Sequence, residues 1–551
     1  MEKGPRLSGN AWILAILLIS CNAILRVDAK KILVATMPGG TSHLLEIMQV
    51  ANYLGDMNHE VALLVEDWDL EKSRRKLPLS VGDQAPTFLI VSPFADIADG
   101  RKNFEKQVEA SQEESLPALK YFIQHQHDQC RRLLKSTSSI ANIKAFQPDL
   151  IIADTTYPCS SLLADMLHIP TVLFSPTTLL EPIFAVALGY RVLPSTIPAH
   201  SSGLPAPRNL LERLSNWAQY TAARILISPL IQEMDENLRI EFEIPPKNLQ
   251  SVKLFLVNAD FAVEFPRQLP AGIKFTGPLL ASPAKALPKD SEIAQIIDTS
   301  PPAGFIYVSF GSVFVLNNPV EMKTLAKALS SLTQYTILWR ITECDLPSGL
   351  TFQDLQLGSQ VHTINWAPQN DILGSEKLAA FISHGGTNSV YEAAYHGVPQ
   401  VNVPFMGDHR DHAARAEAQG FGVTVSQNSL AAGDAQPLLD AIEKVINDPT
   451  FRREAQRVGA ELRAYATPAP QRAAEWVEFA LNLPENSSLS ISDPAGKLGW
   501  FVRRSHDVHA VVGIFAILVV VLVYFIFGLL GRAVGRINSS ATPVADTKKN
   551  N

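Results

Sequence analysis

Cysteine is scarce in this sequence, which has four among its 551 residues. Cys21 lies in an apolar run near the N-terminus, so Cys130, Cys159 and Cys344 remain for the rest of the chain. These three show no spacing typical of a zinc site. We therefore expect no bound metal and no disulfide framework.

Excess positive charge is also missing. The chain carries 47 Lys and Arg against 54 Asp and Glu, a formal net charge of −7, and no segment forms a basic stripe. This balance excludes the electrostatic footprint of a nucleic-acid-binding protein. The length exceeds what one ordinary core accommodates, which predicts two domains with additional terminal segments.

The N-terminus carries a short apolar run, Ala11–Cys21, which is not long enough to cross a bilayer comfortably. Lys3 and Arg6 precede this run, and Val27-Asp28-Ala29 supplies small residues at the positions that a signal peptidase reads. This pattern predicts a secretory signal peptide over residues 1–29, with an uncleaved anchor as the alternative.

Near the C-terminus the run Ala510–Leu530 is uncharged and has the length of a membrane-spanning helix. Arg532 follows it as a stop-transfer charge. With a signal peptide ahead of it, this span predicts a single-pass type I protein. Residues 486–509 are then a juxtamembrane segment, and residues 531–551 form a cytosolic tail.

The predicted tail ends in Lys548 and Lys549, followed by two asparagines. Lysines at these positions resemble the dilysine retrieval signal of endoplasmic reticulum membrane proteins, which a receptor reads as an address. Asn486 begins an Asn-Ser-Ser sequence and is a candidate glycosylation site if the main body is lumenal. We therefore expect an endoplasmic reticulum membrane protein with its globular part in the lumen.

Short apolar runs alternate with helical stretches along the globular part, which predicts an α/β fold with mainly parallel sheets. A Pro- and Ala-rich connector over residues 281–303 divides the pattern into a first domain, 30–280, and a second, 304–485. The predicted strands are Ile32–Thr36, Val61–Val65, Thr87–Val91, Leu150–Ala153, Thr171–Phe174 and Leu254–Asn258, then Phe305–Ser309, Thr336–Trp339, Val361–Asn365, Leu378–Ile382 and Gln400–Val403.

The segment Phe381–His409 is the most informative part of the sequence. It predicts a buried strand, a turn at Gly385-Gly386 and a helix ending at Gly397. The free N–H groups at the start of such a helix form an anion site suited to a diphosphate. A second strand then leads to a carboxylate and an imidazole, Asp408 and His409.

This segment resembles the signature of the membrane-bound UDP-glycosyltransferases, and the resemblance extends over most of the predicted lumenal chain. It implies the GT-B fold, in which two Rossmann-like domains face a cleft. It also implies a UDP-sugar as co-substrate, no cofactor and no metal, because a helix N-terminus stabilises the leaving diphosphate.

The resemblance assigns donor contacts to specific residues. Trp366 would stack on uracil, Gln369 would contact the nucleoside, Glu392 would bind the ribose, and Asp408 and His409 would bind sugar hydroxyls. Taken singly, Trp366 could be a core residue, His384 a turn histidine and Glu392 a solvated carboxylate. The remaining donor-binding residues implied by the resemblance are Gly311, Ser312, Arg340, His384, Gly386, Thr387, Asn388 and Ser389.

His409 departs from the family pattern, in which Gln usually follows this Asp. Histidine occurs here in galactose-using members of the ceramide galactosyltransferase type. An imidazole offers a different set of hydrogen-bond donors and acceptors. This difference favours galactose or glucose over glucuronic acid.

The resemblance places the catalytic pair in the first domain, with His43 as general base and Asp154 as its supporting carboxylate. The acceptor hydroxyl loses a proton as it attacks the anomeric carbon, and histidine titrates near neutral pH. The carboxylate would fix the tautomer of the ring. From the sequence alone, His43 could instead cap a helix, and Asp154 could serve a turn.

These features predict an inverting transferase that moves a hexose from a UDP-sugar to a hydroxyl of a small lipophilic acceptor. The alternatives are a UDP-glucuronosyltransferase and a non-catalytic lumenal paralogue; a homo-oligomer stays open. An NAD-dependent enzyme is disfavoured because no Gly-x-Gly-x-x-Gly turn follows the first strand. His125 and His127 lie in a polar helical run, and we expect both to be solvated.

Overall fold

The computed structural model describes residues 29–71, 85–111, 116–311, 316, 318–484, 487–492 and 506–539. Several sequence predictions fall outside these residues. They are the signal peptide up to residue 28, Ser312, Asn486, the segment 493–505 and the tail from residue 540, including both lysines of the predicted retrieval signal.

The first sheet has seven parallel strands in the order β3-β2-β1-β4-β5-β6-β7. Its central strands are runs of Ile, Leu and Val that are buried along their length, as expected of a parallel sheet covered on both faces. The strands are β1 (Lys31–Ala35), β2 (Glu60–Glu66), β3 (Thr87–Val91), β4 (Leu150–Asp154), β5 (Thr171–Ser175), β6 (Val252–Val257) and β7 (Ile273–Phe275).

The second sheet has six parallel strands in the order β10-β9-β8-β11-β12-β13. Sequence analysis identified all but the short edge strands β7 and β13, which have three residues each. The strands are β8 (Phe305–Ser309), β9 (Thr336–Arg340), β10 (Val361–Ile364), β11 (Leu378–Ser383), β12 (Gln400–Asn402) and β13 (Gly422–Thr424).

Helices connect the strands and cover the sheets. Several begin at a side-chain cap, such as Asn209, whose side chain accepts from the backbone N–H of Glu212. The helices are α1 (Thr41–Asp56), α2 (Ile97–Ser111), α3 (Leu116–Lys135), α4 (Thr137–Phe146), α5 (Pro158–Leu167), α6 (Ile183–Leu188), α7 (Leu210–Ala222), α8 (Ser228–Glu241), α9 (Glu292–Asp298), α10 (Pro319–Ser331), α11 (Gln369–Leu373), α12 (Thr387–His396), α13 (Gly407–Ala418), α14 (Gln427–Ala431), α15 (Gln436–Asn447), α16 (Pro449–Leu462), α17 (Ala469–Leu481) and α18 (His506–Ser539).

Each sheet has a point where the strand order reverses. In the first sheet it lies between β1 and β4, and in the second between β8 and β11. At such a point, the loops after the two neighbouring strands run to opposite faces of the sheet. A crevice therefore opens between these loops at the carboxyl ends of the strands. The sequence-predicted residues His43 and Asp154 follow β1 and end β4, whereas Gly311 and His384 follow β8 and β11.

Helix α17 packs on the first sheet, although it follows the second sheet in the chain. Ala473, Ala474 and Val477 join the core formed by α1 and strands β1 and β2. Glu478 accepts a hydrogen bond from Nε2 of His59 at 2.6 Å. The chain thus returns to its first half before the C-terminal helix, and this return ties the two sheets together.

One sequence prediction about cysteine is wrong. Cys130 on α3 and Cys159 on α5 form a disulfide, and both are fully buried. The two residues are 29 positions apart, and their spacing in the sequence does not indicate which helix faces meet. Cys344 is free and exposed.

The prediction that His125 and His127 are solvated is also wrong. Both are buried on α3, and His127 contacts Asp235 of α8 through Nε2 at 2.9 Å. The run is polar in sequence, but α8 covers it. Among the described residues, no group of three or more His, Cys, Asp or Glu side chains is arranged to hold a metal ion.

Helix α18 contains a stretch long and apolar enough to cross a membrane, Val508–Arg532, with a mean hydropathy of 3.1. It includes the whole predicted span 510–530. In the globular part, α7 exposes an apolar face that includes Leu211, Leu214 and Trp217.

Candidate active site

The candidate active site is a cavity of about 1420 Å³ between the carboxyl ends of the two sheets. Its lining comes from both halves of the chain, because both switch points open onto it. Ser312 lies outside the described residues. All other predicted donor-binding and catalytic residues line this cavity, except Asp154. Asp154 lies directly behind His43.

His43 is the third residue of α1, and its ring contacts the carboxylate at the end of β4. Nδ1 of His43 donates to Oδ2 of Asp154 at 2.9 Å. The backbone residue that caps α1 is Gly40, so His43 does not serve as the helix cap. With Nδ1 occupied, Nε2 is the ring nitrogen left to accept a proton.

Asp154 is fully buried and is held by several donors. Its Oδ1 accepts from the backbone N–H and the hydroxyl of Thr156 at 2.9 and 2.6 Å, and its Oδ2 also accepts from Met37 N at 3.2 Å. Asp154 therefore has both of the roles considered from the sequence. It stabilises the turn after β4 through Thr156, and it contacts His43.

Burial and charge act in opposite directions on this pair. Burial favours the neutral form of each group, but the attraction between the two outweighs it. As a result the pKa of His43 is raised, and the pKa of Asp154 is lowered, by the imidazole and by the Thr156 hydrogen bonds.

The opposite wall is the turn between β11 and α12. Gly386 precedes the first residue of α12, and a Cβ there would lie 2.5 Å from Nε2 of His384. A Cβ at Gly311 would lie 2.9 Å from the same ring, and Gly311 also has a φ of +83°. Only glycine at these two positions leaves the backbone room beside His384. Burial and the neighbouring His409 ring hold the pKa of His384 well below its ordinary value, so the ring is neutral.

The first residues of α12 contact the first domain across the cavity. The hydroxyl of Thr387 donates to that of Thr177 at 3.0 Å, and Nδ2 of Asn388 donates to Oε1 of Glu46 at 2.6 Å. The side chains of these two predicted diphosphate residues are therefore already engaged within the protein. Both residues, together with Gly386 and Ser389, line the cavity at the start of α12.

The predicted nucleoside residues form one cluster. Nε2 of Gln369 donates to Glu392 at 2.5 Å and lies 3.4 Å from the hydroxyl of Ser389. Burial raises the pKa of Glu392 to about 7, so it is not a solvated carboxylate. Trp366 is 70% exposed and lines the cavity, so core packing does not account for this residue.

Arg340 stabilises the donor-side turn. Its Nη1 donates to the carbonyl oxygen of Gly311 at 2.9 Å and to Asp345 at 3.1 Å. The first contact fixes the loop that leaves β8. Arg340, which the resemblance counts among the donor-binding residues, thus makes a positioning contact within the protein.

Asp408 and His409 are the second and third residues of α13, and both line the cavity. His409 is buried, and its ring meets that of His384 edge to face at 4.5 Å. Burial would raise the pKa of Asp408, but its surroundings, which include His409, His412 and the Thr177 hydroxyl, lower it below its ordinary value. Burial lowers the pKa of His409, so its imidazole is neutral and can both donate and accept.

Sequence analysis missed three polar residues of this site. Glu46 lies one helical turn after His43 on α1, and burial raises its pKa to about 8. Thr177 follows β5, and His412 contacts the hydroxyls of Thr177 and Thr387 at 2.9 and 2.8 Å. The i, i+3 spacing from His43 could have identified Glu46, and the position of Thr177 after a strand could have identified that residue.

Comparison with known proteins identifies the family. The family model for UDP-glucoronosyl and UDP-glucosyl transferase matches residues 30–536. The 2-hydroxyacylsphingosine 1-beta-galactosyltransferase of Rattus norvegicus is 29% identical over 464 residues, with 82% of this chain and 80% of that protein covered. UDP-glucuronosyltransferase 2A1 of Mus musculus is 30% identical over 385 residues, with 69% of each chain covered.

Solved structures share the fold at low sequence identity. The glycotransferase of kitacinnamycin matches with a TM-score of 0.55 at 17% identity and covers 83% of this chain and 100% of its own. CalG4, the calicheamicin glycosyltransferase, matches with a TM-score of 0.52 at 17% identity, covering 83% and 99%. Together with the two parallel sheets, these matches confirm the predicted GT-B fold.

Proposed function

Because the chain belongs to the UDP-glucoronosyl and UDP-glucosyl transferase family and is a UDP-sugar glycosyltransferase, we propose that it transfers galactose or glucose to a hydroxyl of a small lipophilic acceptor with inversion at the anomeric carbon. The observation that carries this proposal is the hydrogen-bonded pair His43–Asp154, which faces the start of α12 across one cavity.

In the proposed reaction, Nε2 of His43 takes the proton of the acceptor hydroxyl as its oxygen attacks the anomeric carbon. The bond from that carbon to the diphosphate breaks, and its electron pair leaves with UDP. The backbone N–H groups at the start of α12 stabilise the negative charge of the leaving group. A single displacement of this kind inverts the configuration.

The choice of a neutral hexose rests on His409. A neutral imidazole can both donate to and accept from sugar hydroxyls, but it offers no cation for the carboxylate of glucuronic acid. The named relatives include both a galactosyltransferase and a glucuronosyltransferase, so similarity alone does not select the donor.

The largely apolar cavity wall around His43 supports a lipophilic acceptor. Leu119, Phe122, Ile123, Leu162 and Phe184 all line the cavity on the first-domain side. An acceptor that buries apolar surface against such a wall gains about 25 cal/mol per Å². The hydroxyl to be glycosylated then lies at the polar end of the cavity, beside His43.

We also propose that the chain resides in the endoplasmic reticulum membrane with both domains in the lumen. The apolar stretch of α18 and the disulfide Cys130–Cys159 support this proposal, because disulfides persist in oxidising compartments. The signal peptide, the glycosylation of Asn486 and the retrieval signal remain predictions from the sequence.

A donor and acceptor screen tests the proposal. Membranes containing the full chain or its His43→Ala variant are incubated with UDP-galactose, UDP-glucose or UDP-glucuronic acid and a panel of hydroxylated lipids, sterols and aromatic alcohols, and UDP release is measured. We expect turnover with a hexose donor that falls by two to four orders of magnitude in the variant, while UDP binding persists.

Three outcomes would contradict the proposal in different ways. Near-normal turnover in folded His43→Ala would remove His43 as the base. Preference for UDP-glucuronic acid would identify a glucuronosyltransferase. If the protein binds UDP but releases no UDP from any UDP-sugar with any acceptor, it is the non-catalytic paralogue.

A further inference from the structure

Two glutamines line the first-domain side of the cavity without taking part in the chemistry described above. Gln107 lies on α2 and Gln126 lies on α3, and each is only 2% exposed. Gln126 lies one helical turn after Phe122 and Ile123, which line the same cavity. A polar amide therefore interrupts the apolar wall against which the acceptor would lie.

The amide of Gln126 has no hydrogen-bond partner within the described part of the chain. This holds for both Oε1 and Nε2, and Oε1 of Gln107 is likewise unpaired there. Most buried polar side-chain atoms in proteins have a partner, and leaving one unpaired is costly. Since both side chains line the cavity, a molecule in the cavity is the partner that could satisfy them.

The neighbouring groups favour a neutral partner. Asp235, which also lines the cavity, is paired with His127, and Arg239 is paired with Asp165 at 2.5 Å. Burial lowers the pKa of Lys247, which also lines the cavity, and so disfavours its charged form. The glutamines thus offer a donor and two acceptors without a net charge.

We propose that Gln107 and Gln126 select acceptors that carry, apart from the hydroxyl to be glycosylated, a neutral group that both donates and accepts hydrogen bonds, such as a secondary amide. This proposal rests on the proposed acceptor side of the site. Gln107 and Gln126 together would accept from the N–H and donate to the C=O of such a group, a match that an ester or a hydrocarbon chain cannot make.

Three matched ligands test the proposal: hydroxylated lipids of equal length with a secondary amide, an ester or a methylene pair at the same position. Their binding to the full-length His43→Ala protein in detergent is measured by calorimetry, which needs no turnover. Their kcat and KM are measured with the wild type. We expect the amide to bind roughly fivefold to a hundredfold more tightly than the hydrocarbon.

The chain provides a matched control for the variant Gln126→Leu. Gln129 lies on the same helix, is 0% exposed and has the same unpaired amide atoms, but it does not line the cavity. Gln126→Leu should abolish the amide preference by weakening amide binding, with little change in kcat. Gln129→Leu should leave the preference intact, whatever it does to stability.

Each outcome decides the proposal. Equal affinity for the three ligands in the protein with Gln126 would overturn it and would mean that only water satisfies the glutamines. Tighter binding of a matched carboxylate would overturn it in favour of a cationic subsite at Lys247, which also lines the cavity. If Gln126→Leu does not fold, Gln107→Leu must reduce the same preference. Failure of transfer with an intact binding preference would contradict the proposed function and leave this inference standing.

Discussion

Asp154 affects His43 in two ways at the scale of single residues. By accepting from Nδ1, it leaves Nε2 as the nitrogen that meets the substrate. Its negative charge also overcomes the effect of burial and raises the pKa of His43. The first effect favours catalysis, whereas the second narrows the pH range in which the base is neutral.

Replacement of Asp154 by Asn should separate these effects. With the negative charge of Asp154 removed, burial is opposed only by the weaker effects of Glu46 and Asp408, so the pKa of His43 should fall. The acid limb of kcat/KM against pH should therefore move to lower pH, while the maximum falls by about two to four orders of magnitude because the tautomer is no longer fixed. The measurement is kcat/KM for the acceptor as a function of pH at a saturating concentration of donor. The control is Asp149→Asn, which replaces an exposed carboxylate just before β4. A limb that stays in place would contradict the role of Asp154.

His409 should help to choose the donor sugar. Galactose and glucose differ in the orientation of one hydroxyl, and a buried polar group left unpaired costs about 1–3 kcal/mol. His409→Gln should therefore shift the ratio of kcat/KM for UDP-galactose and UDP-glucose towards glucose by about fivefold or more. Asp408→Ala should reduce turnover with both donors, because a carboxylate accepts from adjacent hydroxyls of either sugar. An unchanged ratio in His409→Gln would remove the argument for galactose.

At the scale of elements, the disulfide fixes α3 against α5 beside the acceptor wall. A cross-link between positions 29 residues apart restricts the unfolded chain and contributes roughly 2–4 kcal/mol to the free energy of unfolding. Replacement of Cys130 and Cys159 together by Ser should lower Tm by several degrees, whereas Cys344→Ser should have little effect because Cys344 is exposed. The measurement is thermal unfolding without reductant. Equal Tm values for the wild type, the double variant and Cys344→Ser would mean that the disulfide does not form.

The elements that sequence reasoning identified are those with a local signal. Strand β8 was predicted with its observed bounds, and α12 was predicted from its glycines, because a run of buried residues or a helix stop is visible in the chain itself. Edge strands β7 and β13 were missed because three residues are too few to show a period. The disulfide and the buried polar face of α3 depend on which helices meet, and spacing does not encode this.

At the scale of the whole molecule, sequence reasoning also could not predict the contacts between the two halves of the chain. Arg267 donates to Glu181 and Glu264 at 2.9 Å, and Arg415 of α13 reaches Glu264 at 2.5 Å. All four side chains are at most 5% exposed. The family resemblance predicted which residues would contact the UDP-sugar, because these residues belong to local motifs that follow the strands. It gave no indication of this ion-pair network, which joins Glu264 of the first half of the chain to Arg415 of the second.

Membrane topology provides the last prediction at this scale. If residues 1–29 direct the chain into the lumen and the apolar stretch of α18 stops its transfer, both domains lie on the side of the membrane that added protease cannot reach. Protease treatment of intact microsomes should therefore remove an epitope placed at the C-terminus while the main body stays protected until detergent is added. Replacement of Lys548 and Lys549 by Ser should let the protein move towards the Golgi without changing this protection pattern. Degradation of the main body in sealed microsomes would reject the lumenal orientation. Unchanged location of the double variant would reject only the retrieval signal, because the orientation depends on the two apolar segments and not on the lysines.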